Sequence, residues 1–219
     1  MIKNIAKTLL LEIDVQNDFC SGGALAVLDG NGVIDPLNNL ASAFAAAGGW
    51  VAATQDWHPA KHISFASSHA GKTPGDVINL PNVPEQVLWP DHCVQGEWGS
   101  EFHGRFDLKP VNLIIRKGFR KGLDSYSAFF ENDKKTSTGL ESWIRGLDID
   151  TLVIGGLATD YCVFYSAMDS VNLGFNTIII ADAVRGVEYP EGSVIKSITQ
   201  MRSAGIVFIN FAELLEELK

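Results

Sequence analysis

Short apolar runs alternate along this chain with stretches whose apolar residues recur at helical spacing. The runs at residues 9–15, 50–54, 111–115, 152–154, 177–181 and 206–209 read as strands. Residues 34–47 read as a helix that tolerates Pro36 in its first turn and stops at Gly48-Gly49. Further helices are predicted at 138–145, at 160–173 closed by Gly174, at 191–203 ahead of Gly205, and at 212–218. Strand, helix and strand repeated in this way require right-handed crossovers. The expected architecture is a three-layer α/β/α domain spanning residues 1–219, with a mainly parallel six-stranded sheet covered on both faces.

One interval breaks the alternation. Residues 55–110 are rich in His, Pro, Gly and Trp and show no convincing period. Loops of this length in compact domains are either functional or disordered. Trp57, Phe65, Trp89, Trp98 and Phe102 argue for order, so the segment is expected to fold over the strand ends, where open α/β sheets bind ligands.

Composition narrows the partners. At 219 residues, with 46% hydrophobic and 20% charged positions, the chain is an ordinary globule with one sizeable core. A formal net charge of −9, without any Lys/Arg cluster, argues against nucleic acid. The partner expected is a small-molecule substrate, and the sequence suits a monomer as well as a homo-oligomer. Three cysteines, Cys20, Cys93 and Cys162, form no disulfide framework and point to a reducing compartment. The opening residues fit neither a signal peptide nor a membrane span, so the expected location is cytoplasmic, with no membrane partner.

Against that background, the run from Thr151 to Cys162 draws attention. A strand breaks at Gly155-Gly156, and Thr159 is a candidate N-cap that places Cys162 at the N3 position. There, free amides and the helix dipole favour a thiolate and lower the thiol pKa. Taken singly, a cysteine can equally be a small buried hydrophobe. Asp14, at the end of the first strand, is either a site carboxylate or an acceptor for nearby amides; facing a thiol in a closed pocket, it could carry a proton near neutral pH. Asp18 is expected to organise the turn around Gln16, Asn17 and Ser21-Gly22-Gly23. Lys117, after the third strand, is either a solvated strand end or a cation beside Cys162 and Asp14.

Asp56 and His58 follow a strand and alternate, so carboxylate and imidazole point the same way and can share one ion. His92 can add a third ligand from the far part of the loop. Two imidazoles, one carboxylate and water make an open, catalytic type of metal site. Cys93 is read as packing, His62, His69 and His103 as loop or surface histidines, and Ser64 as reaching the ion through a water.

The blocks Ile13-Asp14-Val15-Gln16-Asn17-Asp18-Phe19, Thr54-Gln55-Asp56-Trp57-His58-Pro59, Trp89-Pro90-Asp91-His92-Cys93, Lys117-Gly118, Asp124-Ser125-Tyr126-Ser127 and Gly155-Gly156-Leu157-Ala158-Thr159-Asp160-Tyr161-Cys162 occur in that order. Together they resemble the nicotinamidases, members of the isochorismatase-like cysteine hydrolases. The resemblance implies the isochorismatase-like hydrolase fold and deamidation of nicotinamide to nicotinate and ammonia in NAD salvage, with activity on pyrazinamide. It implies a catalytic triad of Asp14, Lys117 and Cys162, and one divalent ion, zinc before iron or manganese, on Asp56, His58 and His92. It also implies an oxyanion hole from the amides of Ala158 and Cys162, a cis peptide bond between Leu157 and Ala158, and ring-binding walls at Phe19, Trp89 and Tyr126. Where some members carry a further histidine, this chain has Ser64, and residues 66–86 depart from shorter members.

Two rivals fail on sequence. A dinucleotide-binding turn is missing, because Val15-Gln16-Asn17-Asp18 follows the first strand where a Gly-x-Gly-x-x-Gly would be needed. A dithiol redox protein would need a Cys-x-x-Cys pair. A sibling cysteine hydrolase acting on another small amide or ureido compound stays open, since it would keep Asp14, Lys117 and Cys162.

Overall fold

The computed structural model describes residues 2–81 and 83–218. In chain order the elements are β1 (Thr8–Ile13), α1 (Ile34–Ala46), β2 (Trp50–Asp56), β3 (Val77–Leu80), β4 (Val83–Val87), β5 (Leu113–Lys117), α2 (Leu140–Gly146), β6 (Thr151–Leu157), α3 (Cys162–Asn172), β7 (Asn176–Arg185), α4 (Ser193–Ser203), β8 (Val207–Ile209) and α5 (Phe211–Glu217). Six strands pair in the order β5-β2-β1-β6-β7-β8, every pair parallel.

The strand sequences explain the layering. β1 and β6 are buried along their whole length, as a central strand covered on both faces must be. Leu10 packs with Leu37, Leu40 and Phe44 of α1 and Leu214 of α5 in one core. Leu9, Leu11 and Ile13 point the other way, into a second core with Leu140 and Ile144 of α2, Val163 and Ala167 of α3 and Met201 of α4. The period-2 alternation of one strand thus divides the helices between the two faces.

The chain runs outward from β1 to β2 and β5, then returns to place β6 on the other side of β1. β1 and β6 therefore flank the switch point, where the loops leaving the two strands diverge and a crevice opens beyond their carboxyl ends. Asp14 leaves β1 with a left-handed φ of 49°, and Cys162 opens α3 just after β6.

Several boundaries differ from the sequence expectation. β1 stops at Ile13 because Asp14 turns out of the extended conformation. β5 includes Lys117, which pairs with Asp56 in register. β7 runs on to Arg185 past a register shift beside β6, so polar Asp182 does not end it. The aperiodic segment contains an antiparallel hairpin, β3–β4, that hydrophobic pattern does not reveal because Pro84 and Glu85 interrupt it. No helix among the described residues is long and apolar enough to cross a membrane.

Candidate active site

Four strand ends bring the charged groups together. Lys117, fully buried at the end of β5, places its ammonium 2.8 Å from Asp14 Oδ2 and 3.3 Å from Cys162 Sγ, in hydrogen-bond contact with Asp56 Oδ1. The Ser125 carbonyl accepts a further bond from it at 3.2 Å. Thr54 fixes the other oxygen of Asp14: its hydroxyl donates to Oδ1 at 2.6 Å and accepts from the Asp14 amide at 3.1 Å. Asp14, Asp56 and Cys162 each present one atom within 4.8 Å of the others.

The electrostatics follow from burial. Desolvation pushes the Asp14 carboxyl up, and Lys117 opposes it. Desolvation alone would lower Lys117, but Asp14 and then Asp56 outweigh it and hold the lysine cationic. For Cys162, burial dominates and drives the thiol well above its ordinary range, with Lys117 pulling it down. The resting sulfur is thus a thiol, contrary to the lowered pKa expected from the sequence. Thr159 is also not the cap: Tyr161 occupies the N-cap position and Cys162 begins α3. The chain is drawn into another turn here, because Thr159 donates to the Arg185 carbonyl and Asp160 holds the amides of Val187 and Glu188.

On the other side of Asp56, Oδ2 lies 3.6 Å from His58 Nε2 and 3.9 Å from His92 Nε2. Each imidazole is aimed by a carbonyl behind it, His58 Nδ1 on Gly118 O at 2.9 Å and His92 Nδ1 on Pro90 O at 2.8 Å. That leaves both Nε2 atoms turned toward the carboxylate, the outer-shell pattern of metal-binding histidines. Burial, then His58, lowers His92 to about 4, so its ring is neutral and able to ligate. Asp56 is desolvated too, but Lys117 and His58 hold it well below the carboxylate range. One oxygen and two imidazole nitrogens at these separations fit a single ion about 2 Å from each.

Residues outside the triad hold this set. Gln16 clamps the Asp56 main chain, donating to its carbonyl at 2.8 Å and accepting from its amide at 2.8 Å. Asp18 does more than organise its own turn: it accepts from Ala24 N at 3.0 Å and from Cys93 N at 2.6 Å, pinning the residue after His92. Cys93 itself is buried packing, its thiol held protonated by desolvation. His62 lies in the loop, as expected, but not at the surface. It is buried and stacked on His58 with ring centroids 4.3 Å apart, and its Nδ1 bonds Ser64 Oγ at 2.7 Å. Ser64 is thereby committed to His62.

A pocket lies beside both groups, lined by Phe19, Trp89 and Tyr126 together with Asp56, His92, Ala158 and Cys162. The three ring-binding walls expected from sequence all reach it. Tyr161, Leu25 and Val187 line it as well and were missed. Tyr161 could have been flagged as the neighbour of Cys162, but Leu25 and Val187 belong to turns that sequence pattern does not place. The peptide bond between Leu157 and Ala158 is cis, as the resemblance implied.

A thiol, carboxylate and lysine at the switch point of a doubly wound sheet, beside one carboxylate and two imidazoles that could hold a cation, fit an isochorismatase-like α/β hydrolase. The chain belongs to the Isochorismatase domain family, whose profile matches residues 8–213. It is 44% identical over 214 residues to a nicotinamidase of Acinetobacter baylyi, covering 98% of this chain and 97% of that one. The structure is similar to that of an Acinetobacter baumannii nicotinamidase/pyrazinamidase, with a TM-score of 0.91, 44% identity, and 95% and 98% of the two chains covered. It is also similar to a Pyrococcus horikoshii pyrazinamidase in complex with zinc, with a TM-score of 0.76, 32% identity, and 93% and 99% covered.

Proposed function

We propose that this protein is a nicotinamidase: a metal-dependent cysteine amidohydrolase that converts nicotinamide to nicotinate and ammonia, accepts pyrazinamide, and serves NAD salvage in the cytoplasm. The observation that carries this reading is the Cys162 thiol, 3.3 Å from the Lys117 ammonium, in a pocket that Asp56 and His92 also line. The identity to a nicotinamidase over nearly the whole chain supports the choice of amide.

The chain's own groups carry the chemistry. Asp14 removes the Cys162 proton, and the sulfur attacks the carboxamide carbon. Lys117 keeps two carboxylates tolerable beside the thiolate that forms. The amides of Ala158 and Cys162 receive the developing oxyanion. Protonated Asp14 returns its proton to the departing ammonia, then accepts one from the water that hydrolyses the thioester, releasing nicotinate and the thiol. Phe19, Trp89 and Tyr126 pack the flat ring. Asp56, His58 and His92 would hold the ion, for which we favour zinc; when bound, it supplies a Lewis-acid anchor for the pyridine nitrogen.

Ammonia release from nicotinamide, with and without prior chelator treatment, tests the reading. Turnover that is lost with the ion and restored by zinc is expected. No release from nicotinamide, with release from a ureido compound, would move the protein to the sibling amidohydrolases.

A further inference from the structure

Gln86 lies in β4 of the β3–β4 hairpin. Its neighbours Pro84 and Glu85 are exposed, yet Gln86 is 1% exposed. A primary amide so buried must be matched on all sides. Its two Nε2 hydrogens face three acceptors, Val87 O at 2.8 Å, Asp124 Oδ2 at 2.9 Å and Tyr126 Oη at 3.2 Å, so one hydrogen is shared between two of them. Its Oε1 accepts from Asn132 Nδ2 at 3.3 Å.

The Tyr126 oxygen is where this network meets the substrate cavity. It also accepts from Trp89 Nε1 at 3.0 Å, so both aromatic walls converge on one atom with Gln86 behind it. Gln86 does not line the substrate cavity. It lines a second, solvent-open pocket that Tyr126 also borders, shared with Asn132, Tyr165 and the exposed Pro84 and Glu85. The Tyr126 ring is thus a partition between two spaces. A partition with space on both sides keeps its position only as far as its contacts hold it, here the Tyr161 and Tyr165 rings and the bonds at Oη.

We infer that Gln86 is a positioning residue that sets the width of the substrate cavity, holding Tyr126, and through the shared oxygen Trp89, in place as a wall that admits a single six-membered ring. The identity of that ring rests on the nicotinamidase reading; the width does not. Asp124 extends the same support, since its Oδ1 accepts from the amide of Ser125, whose carbonyl holds Lys117.

The test compares wild type, Gln86→Met, Tyr126→Phe and the double variant, all below their unfolding temperatures. Met keeps the length of Gln and removes the donors. Cys162 is alkylated with iodoacetamide and with its bulkier N-benzyl analogue, and nicotinamide and quinoline-3-carboxamide are compared as substrates. In Gln86→Met the bulky-to-small alkylation ratio should rise about five- to tenfold, the size of effect one lost buried hydrogen bond can have. KM for nicotinamide should rise with kcat little changed, and the fused-ring amide should gain relative to it. Tyr126→Phe should shift the alkylation ratio the same way, with the double variant adding little. An unchanged ratio in Gln86→Met, or equal slowing of both reagents and both substrates, would overturn the inference. If wild type leaves nicotinamide intact, the functional reading fails, and the alkylation ratio still decides the role of Gln86.

Discussion

Lys117 and Asp56 form a buried pair in which one carboxylate faces two clusters. Its Oδ1 meets the lysine ammonium, while its Oδ2 faces the Nε2 atoms of His58 and His92. The same ammonium lies 2.8 Å from Asp14 and 3.3 Å from the Cys162 sulfur. The Cys162 thiol and the group that could hold a cation therefore share a charge pair and are not electrostatically independent.

Replacing Lys117 should act on both. Lys117→Ala leaves Asp14 and Asp56 buried without their shared cation, which costs about 3–5 kcal/mol when a buried pair is broken from one side. Because Lys117 opposes the burial that raises the thiol pKa, its loss should move the pH profile of Cys162 alkylation to higher pH. Denaturant unfolding and alkylation rates against pH measure the two effects. An unmoved alkylation profile would show that the lysine does not act on the sulfur.

The division of labour between sulfur and ion can be read without turnover. In Cys162→Ala protein, which keeps the cation ligands and should be inactive, nicotinamide binding by calorimetry should depend strongly on added zinc. Benzamide, which has the carboxamide but lacks the ring nitrogen, should bind weakly and respond little. Asp56→Ala should abolish the difference. Equal zinc dependence for both ligands would reject the anchoring role and leave the ion to order the loop around His58 and His92.

Most of the sheet could be read from the sequence because its strands are apolar runs with helices between them, and β1 and β6 are buried on both faces. Asp14 and Lys117 were legible only as strand-end candidates and Cys162 as a helix-start one, with the resemblance grouping them, and Asp56 with His58 as an alternating pair. What stayed hidden depends on three-dimensional closure. The β3–β4 hairpin has no alternation to find, His62 is buried among His58, Phe65 and the Arg120 and Leu123 carbonyls, and burial raises the Cys162 thiol. The cap at Thr159 failed because tertiary bonds from Arg185, Val187 and Glu188 take over that turn.

A buried carboxyl outside the site should set a pH limit on stability. Glu12 is fully buried in β1, both its oxygens lack a partner among the described residues, and burial, then Asp107, pushes its pKa well above 4.5. The folded state thus holds a proton that the unfolded chain gives up. Its contribution is fully present below the unfolded value and is lost as pH rises through the raised folded one, by up to about 1.4 kcal/mol per pH unit. Glu12→Gln cannot ionise, so its stability relative to wild type should increase with pH across that window. Urea midpoints for the two proteins at a series of pH values measure it, and parallel curves would mean that Glu12 is not carried protonated.

Gly118 offers the sharpest test of how the cation site is aimed. Its φ is +65°, and an added Cβ would stand 2.4 Å from His58 Cε1 and 2.7 Å from Nδ1, the atom bonded to its own carbonyl. Gly118→Ala therefore strains the backbone and pushes away the ring that the glycine carbonyl orients. Outer-shell changes of this kind cost about 10- to 100-fold in metal affinity. The backbone strain adds about 1 kcal/mol of instability. Gly122→Ala, where no atom lies within 4 Å of the added Cβ, is the matched control. Zinc affinity by competition with a chromophoric chelator should fall in the first variant and hold in the second, while Cys162 stays open to iodoacetamide in both. Unchanged zinc affinity in Gly118→Ala would mean that His58 is not held for the ion by the carbonyl behind it.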